Sequence, residues 1–152
     1  MSKNYPSYRA LMTQDQVLKI PLSNNTESEK GYRIRKLQVM PNDVDGSTSH
    51  ECAIQVFLKN PGVARIDIDF NDDTLLAAAY YARSLQTGSP YVIDSATESI
   101  VFDNTVFNQD IYVTYGTGQS SQKLNFYLEL EEVTMSKAQQ AVVNFNAVLL
   151  HG

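Results

Sequence analysis

One cysteine, two histidines and no tryptophan in 152 residues leave this chain few of the side chains that carry covalent or metal chemistry. Cys52 has no partner for an internal disulfide, which suits synthesis in a reducing compartment. Charge is also scarce: Asp, Glu, Lys and Arg make up 19% of the residues, below the usual level of about a quarter. What charge there is leans acidic, twelve basic residues against seventeen acidic, for a net charge of -5 and a pI near 4.9. That balance argues against a nucleic-acid binder, which must neutralise phosphates, and against docking on an anionic membrane. No apolar run is long enough to span a bilayer, and the opening MSKNYPSYRALMTQ lacks the hydrophobic core of a secretory signal. Hydrophobic residues still make up 43% of the chain, so it reads as globular rather than disordered. A chain of this length buries about 68–70% of its unfolded surface and folds without a metal or a crosslink.

What is present is period-2 alternation in short segments between polar turns. Cys52, Ile54, Val56 and Leu58 share one face of a strand, and Leu124, Phe126, Leu128 and Leu130 share one face of the clearest strand in the chain. Tyr32 and Ile34 alternate in one phase and Leu37 and Val39 in the other, which predicts a β-bulge or a bend between them. RIDIDF (residues 65–70) predicts a strand with Ile66, Ile68 and Phe70 inward. Val17–Ile20, PYVID, SIVFD and DIYVTY read as further strands, and Ala141, Val143, Phe145, Ala147 and Leu149 place the C-terminal segment on one strand face. Residues 73–87 fit helix and strand alike: Ala and Leu favour a helix, while Leu75, Ala77, Ala79 and Tyr81 also fit period 2. The fold class expected is mainly β: an antiparallel β-sandwich, jelly-roll-like, of eight or nine strands, with room for one short helix. Residues 1–14 show no period and contain Pro6, so they read as an extended N-terminal arm beside a sandwich domain of residues 15–152.

Candidate chemistry is thin. The acidic run at residues 67–73 fails the EF-hand spacing, because Ala78 stands where the closing glutamate belongs, and Asp67 and Asp69 read as the solvent face of a strand. His50 lies two residues from Cys52, but Cys52 continues an apolar stripe and reads as a core residue, not as half of a nucleophile pair. Gly116 and Gly118 in YGTGQSSQ read as a hairpin loop, since neither a helix nor Gly-Lys-Ser/Thr follows. NNT at residues 24–26 reads as a chance sequon, and His151 adds a lone imidazole near the end. The nine tyrosines suit strand surfaces and interfaces. The expectation is a chain without catalytic, cofactor-binding or metal-binding residues.

The segments SIVFDNTVFNQDIYVTYGTG and KLNFYLELEEVTMSKAQQAVVNFNAV, within residues 94–149, resemble small virion structural proteins of tailed bacteriophages. That resemblance implies a non-enzymatic jelly-roll protein, made in the host cytoplasm, that decorates or cements an icosahedral capsid. Its partners would be the major capsid protein and its own copies, as a dimer or trimer. The arm supplies expected partner contacts at Tyr5, Pro6, Tyr8, Leu11 and Met12, and folding is expected to survive its removal. The alternative is a sandwich module of a tail or fibre that recognises carbohydrate or a receptor.

Overall fold

A computed structural model describes residues 5–22, 29–43, 49–85, 93–118 and 122–151; of residues 85, 93–95, 146–148, 150 and 151 it describes the backbone only. The logic of the fold is plainest in β8 (Leu124–Thr134), where Leu124, Phe126, Leu128 and Leu130 are buried and Asn125, Tyr127 and Glu129 face outward. It is the central strand of a three-stranded antiparallel sheet, with β1 (Ser7–Met12) on one side and β3 (Lys30–Pro41) on the other. The register of β3 slips between Ile34 and Lys36, leaving Arg35 as an extra residue: of the bulge or bend that the change of phase predicted, it is a bulge. Ile34 on one side of the slip and Leu37 and Val39 on the other therefore all reach the core.

The second sheet has five antiparallel strands in the order β2-β7-β4-β5-β6, formed by β2 (Val17–Ile20), β4 (His50–Phe57), β5 (Leu75–Leu85), β6 (Ile93–Phe102) and β7 (Ile111–Thr117). Cys52, Ile54 and Val56 of β4 meet Ala77 and Ala79 of β5 and Ile111, Val113 and Tyr115 of β7 in one core cluster with the inner face of β8. The two sheets thus form a mainly β, antiparallel sandwich of the class read from the sequence. β5 resolves the open reading of residues 73–87 in favour of strand over Leu75–Leu85: pairing with β4 and β6 on both sides outweighs the helix propensity of its alanines. The described end of PYVID, Ile93 and Asp94, and residues 99–102 of SIVFD belong to a single strand, β6, whose outer edge carries no partner strand among the described residues.

Four expectations are corrected. The C-terminal segment is a helix, α1 (Lys137–His151), not a strand. Its start is a capping box: the Gln139 amide donates to Ser136 Oγ at 3.2 Å and the Ser136 amide donates to Gln139 Oε1 at 3.1 Å. RIDIDF is a loop laid across the outer face of the larger sheet, and Phe70 is 70% exposed. The Gln55 side chain holds that loop by donating to the Arg65 and Asp67 carbonyls, both at 3.0 Å. Gly116 permits the close approach, since a Cβ there would stand 2.3 Å from the Arg65 backbone. Gly116 lies inside β7, and the chain beyond it crosses to the other sheet rather than turning a hairpin.

The fourth correction concerns the arm. Residues 7–12 are a strand of the sandwich itself, paired with β8 from Ser7↔Glu129 to Met12↔Leu124. Met12 is fully buried in the core, and Tyr8 packs against it. The boundary drawn at residue 14 therefore divides a single packed unit, and removal of residues 1–13 strips a strand and a core side chain. Met12→Ala should cost about 2–5 kcal/mol in denaturant unfolding, whereas Leu11→Ala on the opposite face should cost less than about 1 kcal/mol. Equal losses at the two positions would contradict the register of β1.

Candidate functional site

The largest concentration of buried polar groups lies at one end of the sandwich, where His50 and Arg83 stand opposite each other on β4 and β5. Both turn to Asp43, just past the end of β3 in the other sheet. Arg83 Nη2 donates to Asp43 Oδ2 at 3.0 Å and Nη1 donates to the Asp43 carbonyl at 3.1 Å. His50 Nε2 lies 2.5 Å from Asp43 Oδ1; a carboxylate can only accept, so the proton sits on Nε2. The edge of the imidazole rests on Tyr81, with centroids 5.8 Å apart. A second polar tie closes the same end. Gln122, leading into β8, accepts from the Glu51 amide at 3.2 Å and from Thr117 Oγ1 at 2.7 Å, and donates to the Ser49 carbonyl.

Cys52 lies below these ties, fully buried. Burial pushes its thiol from 9.0 up to about 11, against smaller opposing effects of the neighbouring Tyr115 and of Arg83. Its Sγ donates to the Tyr81 carbonyl at 3.5 Å, and the imidazole of His50 is committed to Asp43. A protonated, enclosed thiol with no base aimed at it does not act as a nucleophile at neutral pH. Burial, then the adjacent Cys52, also push the pKa of the Tyr115 hydroxyl well above its ordinary value; that hydroxyl neighbours Cys52 and Thr117 without the alignment of a hydrogen bond. The cluster is built to join the two sheets: one carboxylate from the smaller sheet receives a cation and an imidazole from the larger.

Neither a family model, nor a curated protein, nor a solved structure matches this chain. Its function has to be argued from its own surface.

The sequence-predicted contact residues are dispersed by their places in β1 and just before it. The Tyr5 ring sits over the Arg35 guanidinium at 3.8 Å, and Arg35 in turn reaches Glu129 at 3.1 Å. The Pro6 carbonyl accepts from the Leu130 amide at 2.9 Å. Tyr8 and Met12 point inward, so of the five only Leu11 projects a large apolar side chain outward, 40% exposed. Leu11 shares a rung with Asn125 and Met40, next to the rung of Arg9, Tyr127 and Gln38. These six residues, together with Glu98 of β6 in the larger sheet, line a groove of about 700 Å³ along the outer face of the smaller sheet. Asp67 and Asp69 are exposed on the loop of residues 58–74, and Asp69 spends one oxygen on the Asn71 amide. Among the described residues no group of three or more His, Cys, Asp or Glu side chains could hold a metal. The sequon at residues 24–26 and the His151 side chain lie outside the described residues.

Sequence reasoning missed the Asp43–His50–Arg83 cluster, whose members are up to 40 residues apart. It also missed the outward face of α1, where Val142, Phe145 and Leu149 are each more than 60% exposed. The helical spacing of those three residues was available to find it. No helix among the described residues is long and apolar enough to cross a membrane.

Two outcomes test the cluster. Asp43→Ala removes the acceptor from a buried guanidinium and imidazole and should cost about 3 kcal/mol in chemical unfolding; a loss near zero would rank the cluster with surface ion pairs. The Cys52 thiol binds its proton more tightly in the folded state than in the unfolded one. Its contribution is fully present below about pH 9 and is lost as pH rises toward about 11, on the order of 2–3 kcal/mol. The alkaline fall in stability, measured by urea unfolding from pH 8 to pH 11, should be shallower in Cys52→Ala than in the parent.

Proposed function

We propose that this chain is a non-enzymatic structural subunit of a tailed-bacteriophage virion, which decorates or cements the capsid by binding the major capsid protein and its own copies. The observation that carries the proposal is the outer face of the smaller sheet, left open among the described residues. There, among the described residues, Leu11 and Met40 flank Asn125 on one rung of a groove of about 700 Å³, and Met40 is 60% exposed. The outer face of the larger sheet, by contrast, is occupied by the chain's own loop through Gln55 and Gly116. Paired apolar side chains left on a sheet face offer area and shape to a protein partner, and their neighbours Gln38 and Asn125 offer hydrogen bonds at the rim. The one nucleophilic thiol is enclosed and protonated, which fits a subunit that works by contact.

The chain path supports a jelly roll. In that fold the strands wind up as nested antiparallel pairs, first with last and inward from there. β1 pairs β8, β2 pairs β7 and β4 pairs β5. The remaining pair, β3 with β6, survives as a bridge from Tyr32 to Phe107 just beyond β6, while β6 itself lies on β5. A jelly-roll subunit fits the texture shared with small virion proteins over residues 94–149.

The test is co-sedimentation with capsids assembled from the major capsid protein of the same genome. The parent should bind, and Leu11→Asp with Met40→Asp should weaken binding at least about tenfold while the melting temperature stays close to that of the parent. Undiminished binding by the double variant, or saturable binding to a glycan array with none to capsids, would overturn the proposal.

A further inference from the structure

Among its described side chains, α1 turns one mixed face to the sandwich and leaves an apolar one to solvent. Val143 is buried, Gln140 and Asn144 are half-buried beside it, and Asn108 donates to Asn144 Oδ1 at 2.7 Å; these residues fix the face turned toward the sandwich. At about 100° per residue, Ala138, Val142, Phe145 and Leu149 fall on the opposite side, and all four are exposed. Their spacing of four, three and four residues is that of a coiled-coil seam, narrower than the apolar face of a helix that lies on a globular core. Such a seam is shaped to receive another helix.

We propose that the seam of α1 pairs antiparallel with α1 of a second copy, about a two-fold axis between Val142 and Phe145. Two features of the chain select that occupant. The first is steric. In an antiparallel pair Ala138 faces Leu149 of the second copy and Val142 faces its Phe145, so small stands against large at every layer, and the two-fold makes each contact twice. In a parallel pair Phe145 would crowd Phe145 and Ala138 would leave a gap against Ala138. The second is electrostatic. Lys137 begins the helix, and the first turn holds no acidic residue, so a cation sits at the positive end of the helix dipole. In the antiparallel pair each Lys137 lies beside the carbonyl end of the other helix, where a cation is favoured. Apart from Lys137 and the terminal His151, α1 has no ionisable side chain, so the seam meets its copy without like-charge repulsion.

A 15-residue helix is about 22 Å long, and one face of it buries less than a standard interface of about 800 Å² per partner. The pair is therefore weak in free solution and gains from the local concentration on a particle. The inference rests on the reading that copies of the chain bind one another; it does not depend on the groove or on the capsid.

Analytical ultracentrifugation of the full chain over a concentration series tests it. The parent should show a monomer–dimer equilibrium, and Phe145→Glu, at an exposed position, should weaken it more than about tenfold with an unchanged circular dichroism spectrum. Under oxidising conditions Ala138→Cys combined with Leu149→Cys should yield a covalent dimer, while Ala138→Cys alone should not; Cys52, being buried, does not compete. A parent that stays monomeric at high concentration, a dimer indifferent to Phe145→Glu, or crosslinking through Ala138→Cys alone would each overturn the pairing. Loss of self-association with capsid binding retained leaves the proposed virion role standing, and loss of capsid binding with the dimer intact leaves the pairing standing.

Discussion

A sandwich of two sheets has to hold those sheets in register, and in this protein polar contacts do so at one end of the core. Asp43 leaves the smaller sheet and receives His50 and Arg83 from the larger; Gln122 enters the smaller sheet and is held by Ser49, Glu51 and Thr117 of the larger side. Hydrophobic burial is non-directional and tolerates sliding. Hydrogen bonds to a particular carboxylate do not. The inner rows Leu124–Leu130 and Cys52–Val56 can therefore interdigitate in one way, and the grooves and helix outside them inherit a fixed geometry.

The core was legible because its strands are wet on one side. Leu124, Phe126, Leu128 and Leu130 alternate with Asn125, Tyr127 and Glu129, and that pattern has a single structural reading. The bulge at Arg35 was legible for the same reason, since a slip of one residue moves every later side chain to the other face. Where both sides are covered the signal fades. Ala53 and Gln55 are as buried as Ile54, because the loop of residues 58–74 roofs them, and nothing in RIDIDF distinguishes a strand from a loop pinned at its carbonyls. The C-terminal segment misled for a different reason: residues alternating on a strand also populate a helix, and the short Ser136–Gln139 capping box carried the deciding information.

The surface was harder to read than the core. Tyr5, Pro6, Tyr8, Leu11 and Met12 look alike as a run of apolar and aromatic residues, but strand alternation sends Tyr8 and Met12 inward and leaves Leu11 to solvent. That division depends on pairing with β8, more than a hundred residues away in the chain. The Asp43 cluster is long-range in the same sense. A single sequence records which residues are available, while the partner of each is set by topology.

β6 is an edge with an uneven guard. Thr97, Glu98 and Ser99 present polar groups along the first part, but Val101 and Phe102 remain accessible at its end and Phe70 is exposed nearby. A strand edge of that composition is a template for another strand, and Glu98 is a modest gatekeeper. Long-range repulsion supplies the rest of the protection: molecules carrying a net charge of -5 keep apart at neutral pH. That protection vanishes near pH 4.9, where the charges balance while the edge keeps its hydrogen-bonding groups. Colloidal stability thus has its weak point in mild acid, at the Val101–Phe102 end of a single strand.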